Sequence, residues 1–365
     1  MTRSIIQWGS GAVGRHSLRY VLGHPELELV GLRCYTADKS GRDAGDIVDR
    51  STVGVAATLE VEELLAIEAD CVLFMPRDGT LDPTVPGSPS AAWVEEVVPI
   101  LASGKNVVSC ITSAVHWRHL ADGEGLRARL DEACATGGTS ILFTGVDPGF
   151  VSDCLAITMA SLVGEIEQVR TWEMIDYSCY PAASVVAELG FGKRPGELPP
   201  SAARMLLGGW GGAPHLVADA LGLVLDDLAL DLDVSLATTA YVAPNGLRID
   251  AGTISALRWS LSGVVDGSAK VVVNHINRFG PQTAPEWASM GTDGGYRVEI
   301  VGSPPFHGHF PLGLPGGFGS SLEDALAMTA ARCVNAVDTV VRARPGYHTV
   351  NDLPMIGPRY GLAPP

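Results

Sequence analysis

Apolar positions in the first 150 residues follow two alternating rhythms. Short unbroken runs, SIIQW (4–8), ELELVGLRCYT (26–36), ADCVLFMP (69–76), KNVVSCIT (105–112) and TSILFTG (139–145), predict strands buried on both faces. Between them, RHSLRYVLGH (15–24) places Leu18, Val21 and Leu22 at helical spacing and stops at Gly23 and Pro25. Helical stretches follow at VEELLAIE (61–68), SAAWVEEVVPILASG (90–104) and GLRARLDEACATGG (125–138). Strands alternating with helices imply right-handed crossovers and a parallel sheet covered on both sides.

Past GVDPGFVSDCLA (145–156) the alternation stops, with Pro148 and Gly149 at the joint. VSDCLAITMASLVG (151–164) reads as a helix. EQVRTWEMIDYSCY (167–180), ALDLDVSLATTAYV (229–242), TISALRWSLSGVV (253–265), AKVVVNHINRF (269–279) and YRVEIVG (296–302) read as strands without regular helices between them. Loops rich in Gly, Asn and Asp join most of them, which predicts a mostly antiparallel sheet with one packed face. The stretch 190–222, rich in glycine and aromatic residues, suits a lid or a long connection. A last amphipathic helix (321–344) stops at Pro345 and Gly346 and is expected to return to the first half. The predicted class is α/β: a Rossmann-type parallel-sheet domain (1–150 with 322–365) plus an α+β domain (151–321) for substrate binding and dimerisation.

The first strand runs directly into GSGAVG, with Gly9, Ser10, Gly11, Ala12, Val13 and Gly14 opening the first helix. A glycine triplet between a first strand and a helix is a dinucleotide fingerprint: the first glycine makes the turn, the second lets the backbone approach a pyrophosphate, and the third admits close helix packing. Thr36 and Lys39 after the second strand, Met75, Pro76 and Arg77 after the next, and Thr112 complete the expected cofactor set. An acid binding a bare ribose belongs at the end of the second strand. Asp38 comes late, amid Arg33, Lys39 and Arg42, so NADP is expected in preference to NAD, with ordinary solvated loop charges as the other account.

Composition narrows the partners. The 365 residues carry a net charge of −16, which opposes nucleic acid and anionic lipid, and no run is long enough to span a bilayer. A cytoplasmic protein with a small-molecule substrate is expected. The seven cysteines are scattered singly and read as reduced, mostly buried residues.

The segments QWGSGAVGRHSLR, DKSGRDAG, GKNVVS, TGVDPGF, DYSCY, LGFGKRP, TAARCVNAV, ARPGY and DLP, in that order, resemble the family with a dihydrodipicolinate reductase-like N-terminal domain, in its 2,4-diaminopentanoate dehydrogenase and amine dehydrogenase branch. The resemblance implies a homodimer and NAD(P)H-dependent interconversion of an amine with a carbonyl plus ammonia. It also places Asn335 on the nicotinamide side and Phe150, Glu173 and Tyr180 near substrate. One departure stands out. The resemblance implies a glutamate just after KNVVS to handle the nitrogen's proton, but the chain reads SCITSAVHW, with Thr112 and Ser113 there.

Candidates for the proton are therefore Asp176 and Tyr177, from the DYS pattern, and His116 on the loop leaving the fourth strand. Each has a plainer structural reading. Period two puts Glu173, Ile175 and Tyr177 on one strand face and Met174, Asp176 and Ser178 on the other. His307 and His309 lack a third ligand at a suggestive spacing, so no metal is expected. His275 and Arg278 suit an acidic substrate group or structural hydrogen bonds. The expected function is an NAD(P)H-dependent oxidoreductase acting on a carbonyl, imine or amine; the alternative is a catalytically inactive NADP(H)-binding sensor or partner-binding module.

Overall fold

The computed structural model describes residues 2–76, 92–198, 200–280 and 282–358. The first part contributes β1 (Arg3–Trp8), α1 (Ala12–Gly23), β2 (Leu27–Arg33), α2 (Ala44–Ile47), β3 (Ala57–Thr58), α3 (Val61–Ala66), β4 (Cys71–Phe74), α4 (Ala92–Ala102), β5 (Asn106–Ser109), α5 (Gly123–Gly137) and β6 (Ser140–Phe143). Next come α6 (Ala156–Ala160), β7 (Glu165–Asp176), α7 (Ala183–Glu188), α8 (Pro200–Trp210), α9 (Gly212–Ala220), β8 (Asp227–Leu236), β9 (Tyr241–Val242) and β10 (Arg248–Ile249). The chain finishes with β11 (Ile254–Val265), β12 (Ser268–Arg278), β13 (Gly294–Ser303), β14 (Phe306–Leu312), α10 (Ser321–Val341) and β15 (Gly346–His348).

A parallel sheet in the order β15-β6-β5-β4-β1-β2-β3 forms the first layer. Its central strands are apolar on both faces because helices cover both: Ile5, Ile6, Val72, Leu73, Val107, Val108, Ile141 and Leu142 are fully buried. Cutting any of the larger of these side chains to alanine costs about 2–5 kcal/mol. The last helix does return, packing along α1 and across β5, and the chain then adds β15 beside β6. That closing strand lies where the sequence signalled only a stop.

The second sheet, ordered β14-β13-β7-β12-β11-β8, is antiparallel except between β7 and β12. Two expectations are adjusted. The run 229–242 is not one strand: β8 ends at Leu236, and Tyr241–Val242 pairs instead with β10. The helix expected over 151–164 opens with a π turn, Val151–Leu155, before α6. Pro99 sits inside α4 without ending it. Among the described residues no helix is long and apolar enough to cross a membrane.

Candidate active site

The glycine turn joins β1 to α1 at the carboxyl edge of the parallel sheet, and its three glycines face different surroundings. Gly9 has φ +99°, and a Cβ there would lie 2.3 Å from the Met75 carbonyl oxygen, so neither its conformation nor its space admits a side chain. A Cβ at Gly14 would lie 2.3 Å from the Gly9 carbonyl oxygen, which is how closely α1 packs on the turn. A Cβ at Gly11 would meet no neighbouring atom within 4 Å among the described residues. Gly11 also caps α1 without a side-chain hydrogen bond, and the helix has no acid in its first turn. The turn thus offers N–H groups and the positive end of a helix dipole to an anion, the requirement for a pyrophosphate.

Ser10 is buried, and Ala12 and Val13 are half-buried as α1 begins. From the loop after β2, Lys39 donates from Nζ to the Ser10 carbonyl at 2.9 Å. Its basic neighbours point elsewhere: Arg33 is spent on the carbonyls of Cys34 and Thr58, and Arg42 reaches the Asp46 carbonyl. Asp38 is exposed and held below the usual carboxylate range chiefly by the Thr36 hydroxyl. Met75 is buried at the end of β4, bonded to β1 through the Trp8 carbonyl, with Pro76 following half-buried. Arg77 lies outside the described residues. Thr112 opens a 3-10 turn after β5, and a Cβ on Gly209 of α8 would come 3.5 Å from its hydroxyl. Asn335 is half-buried on α10.

The second sheet presents its inner face to this edge, and strand register composes a transverse row there. Tyr296 on β13 is opposite Glu173 on β7, Glu173 is beside His275 on β12, and His275 is opposite Trp259 on β11. His275 stacks on Trp259, with ring centroids 4.0 Å apart, and meets Trp210 of α8 edge-on at 4.9 Å. Its Nδ1 lies 3.2 Å from Glu173 Oε1. Its Nε2 lies 3.1 Å from Oδ2 of Asp147, whose side chain is only 3% exposed. Glu173 Oε1 also accepts hydrogen bonds from the Tyr177 hydroxyl at 2.7 Å and Asn277 Nδ2 at 3.0 Å.

These contacts set the charges. Burial acts to lower the pKa of His275, but Glu173 and Asp147 overcome it and push it up to about 9. Burial acts to raise Glu173, but His275, Tyr177 and Asn277 outweigh it and hold the carboxyl below its ordinary value. Two carboxylates thus flank one imidazolium, an excess of one negative charge. The same three groups form a donor set compact enough for a metal ion. The two ring nitrogens, however, face different carboxylates, so the ring stands between them as an ion-paired bridge.

The structure brings Tyr177 and Glu173 together and separates Asp176 from them. The Asp176 carboxylate faces the other way, accepting the backbone N–H groups of Ser178 and Gly280. Tyr180 lies beside Tyr177, ring centroids 5.6 Å apart, and Phe150 lies under the guanidinium of Arg332. His116 is fully buried: Nε2 meets Asp219 at 3.2 Å and Nδ1 accepts the Arg118 N–H, so both nitrogens are engaged. It shares this place with His119 and His215, where the glycines around Trp210 bring α8 and α9 against the loop after β5. The 190–222 stretch is thus docked there. Asp147 was not singled out from sequence, although it stands just past a strand end in TGVDPGF; His275 and Asn277 share a face by period two.

Residues 150–361 match the family described as 2,4-diaminopentanoate dehydrogenase C-terminal domain. The chain belongs to this family. An amine dehydrogenase of Streptomyces virginiae is 32% identical over 361 residues, 96% of either chain. A 2,4-diaminopentanoate dehydrogenase of Acetoanaerobium sticklandii is 27% identical over 253 residues, 68% of this chain and 67% of that one. Among solved structures, an amine dehydrogenase from Mycobacterium smegmatis shares the fold with a TM-score of 0.75 at 19% identity, covering 98% of both chains. A probable dehydrogenase from Thermotoga maritima has a TM-score of 0.57 at 15% identity over 96% of this chain and 92% of that one. This member of the 2,4-diaminopentanoate dehydrogenase family is an NAD(P)-dependent oxidoreductase.

Proposed function

We propose that the protein interconverts an amine with a carbonyl compound and ammonia, with NADP(H) preferred to NAD(H), and that it works as a homodimer. The observation that carries the amine reading is the excess negative charge of the Asp147–His275–Glu173 cluster at the carboxyl edge of the parallel sheet. A buried site with one uncompensated carboxylate favours an ammonium or iminium ion over a neutral or acidic group. The names of the two relatives agree with this chemistry. The cofactor preference rests on Lys39 at the glycine turn, and the homodimer on the family resemblance alone. With 1–150 and 322–365 read as the cofactor domain and 151–321 as the substrate-binding and dimerisation domain, the substrate is proposed to lie between the two sheets.

In this reading Gly9 to Gly14 hold the pyrophosphate, Lys39 the ribose side, and Met75, Pro76, Thr112 and Asn335 flank the rest of the dinucleotide. The nicotinamide supplies the hydride. Phe150, Tyr180 and Trp210 wall the substrate, while Tyr177 and Asn277 hold Glu173 against His275 so that the imidazolium stays in place. The test is oxidation of NADPH with a panel of ketones and aldehydes, with and without ammonium. Turnover that requires ammonium supports the reading. Turnover indifferent to ammonium makes the enzyme a simple carbonyl reductase, and tight cofactor binding without any turnover makes it a binding module.

A further inference from the structure

We propose that Asp147 is the carboxylate that moves protons from the substrate nitrogen to the departing oxygen, in the place of the glutamate absent at Thr112 and Ser113. This rests on the amine reading above.

An asymmetry between the two carboxylates points to Asp147. Glu173 is anchored through one oxygen, Oε1, by three groups, Tyr177, Asn277 and His275, which suits a positioning role. Asp147 is held through Oδ2 alone. Its Oδ1 is buried with no hydrogen-bond partner among the described residues, and so is the hydroxyl of Tyr296, on the strand flanking Glu173. Buried polar atoms without partners forfeit their hydration and call for an explanation. Apart from the two His275 ring nitrogens, whose carboxylate contacts are ion pairs, this anionic cluster leaves over an acceptor and a donor, which match a nitrogen that donates protons and an oxygen that accepts one.

The loop carrying Asp147 is built to hold it still. The Gly149 N–H donates to Asp153 at 2.7 Å, the Thr144 hydroxyl to the Gly149 carbonyl at 2.9 Å, and the Val146 N–H to Thr329 of α10 at 3.3 Å. Gly149 has φ +116°, and a Cβ there would lie 2.1 Å from the Gly145 nitrogen. This packing fixes Asp147 at the end of β6, on the edge that also carries the glycine turn.

The proton count closes. Ammonium gives one proton to Asp147 and becomes ammonia. Its lone pair then forms the C–N bond while the carbonyl π pair moves to oxygen. A second N–H proton passes through the carboxylate to that oxygen, making a hydroxyl. The first proton follows it, the C–O bond breaks with loss of water, and the nitrogen lone pair closes the iminium. Two protons leave nitrogen and both end on water, with Asp147 restored and His275 serving throughout as a fixed countercharge.

The experiment compares wild type with Asp147→Asn in two reactions: ammonium-dependent amination of a ketone, and reduction of a preformed cyclic imine, which loses no water. Amination is expected to fall 10²–10⁴-fold and imine reduction less than tenfold, with unchanged NADPH affinity. Calorimetric titration of the cofactor-free protein with methylammonium should show binding at least tenfold weaker in the variant. Should the single variant fail to fold, Asp147→Asn combined with His275→Gln keeps the cluster's net charge, and the same split between the two reactions is expected. Wild type that aminates while the variant keeps its rate, or loses both reactions equally, or binds methylammonium equally well, overturns the inference alone. Wild type without ammonium-dependent turnover overturns the functional reading with it.

Discussion

Lys39 Nζ donates to the Ser10 carbonyl across 2.9 Å, so the loop after β2 is tied directly to the glycine turn. With Arg33 and Arg42 turned to carbonyls elsewhere, Lys39 is the one of these three basic residues held at the turn. Lys39→Ala should weaken NADP(H) binding by about 10- to 100-fold, the worth of a hydrogen bond to a charged group. NAD(H), lacking the extra phosphate, should lose much less. Fluorescence titration of both cofactors measures the ratio, and an unchanged ratio would assign the ribose contact to another residue.

The three glycines of the turn should part company when substituted. Gly9→Ala and Gly14→Ala meet backbone oxygens at 2.3 Å and are expected to lower the melting temperature by several degrees. A Cβ at Gly11 enters open space among the described residues, so Gly11→Val should fold normally and lose cofactor affinity at least a hundredfold. Calorimetric melting and cofactor titration of the three variants separate the effects. Normal affinity in Gly11→Val would reduce the motif to a tight turn.

Stability should fall on both sides of neutrality. His275 has its pKa raised to about 9, so its contribution is complete below pH 6.5 and is lost as pH rises toward 9. Asp147, Glu173, Tyr177 and Tyr296 are the titratable groups that surround it. His116 and His119 behave oppositely: burial, with His215 nearby, lowers them to about 4 and about 3. The unfolded chain protonates these histidines first, so their contribution is lost as pH falls from 6.5 toward 4. Melting temperatures at pH 4.5, 6.5 and 9 should peak in the middle. His275→Gln should flatten the alkaline limb, and a limb of undiminished slope would refute the assignment.

Asp176 and Tyr177 are neighbours in sequence with different expected roles. Asp176→Asn keeps an oxygen for the Ser178 and Gly280 N–H groups, so turnover within about threefold of wild type is expected, with modest loss of stability. Tyr177→Phe removes the 2.7 Å donor from Glu173 and should slow turnover roughly tenfold or more, with KM for cofactor unmoved. Steady-state kinetics of the pair would reveal a reversal of the two effects, which would return the proton to Asp176.

Much of the fold was legible because its signals are local. Unbroken apolar runs marked five parallel strands, and Gly9, Gly11 and Gly14 stood in the one context that gives a glycine triplet meaning. The site was harder to read. Asp147 and His275 are 128 positions apart, and only the pairing of β7 with β12 and the fold of the loop after β6 bring them within 3.1 Å. His116 titrates in a useful range by type, yet burial and Asp219 engage it fully, and no periodicity reveals such engagement. β15 escaped notice because three residues after a proline carry too little pattern to distinguish a strand from a tail.

That short strand has a consequence for how the molecule comes into being. Gly346 pairs with Ser140, and the helix before it lies along α1, so the nucleotide-binding sheet lacks an edge and a covering helix until the whole second sheet has been synthesised. On the ribosome the first 150 residues wait, with β6 exposed as an unpaired border able to recruit a stranger's strand. Cofactor and substrate regions are therefore completed together, only once α10 and β15 have joined the first sheet.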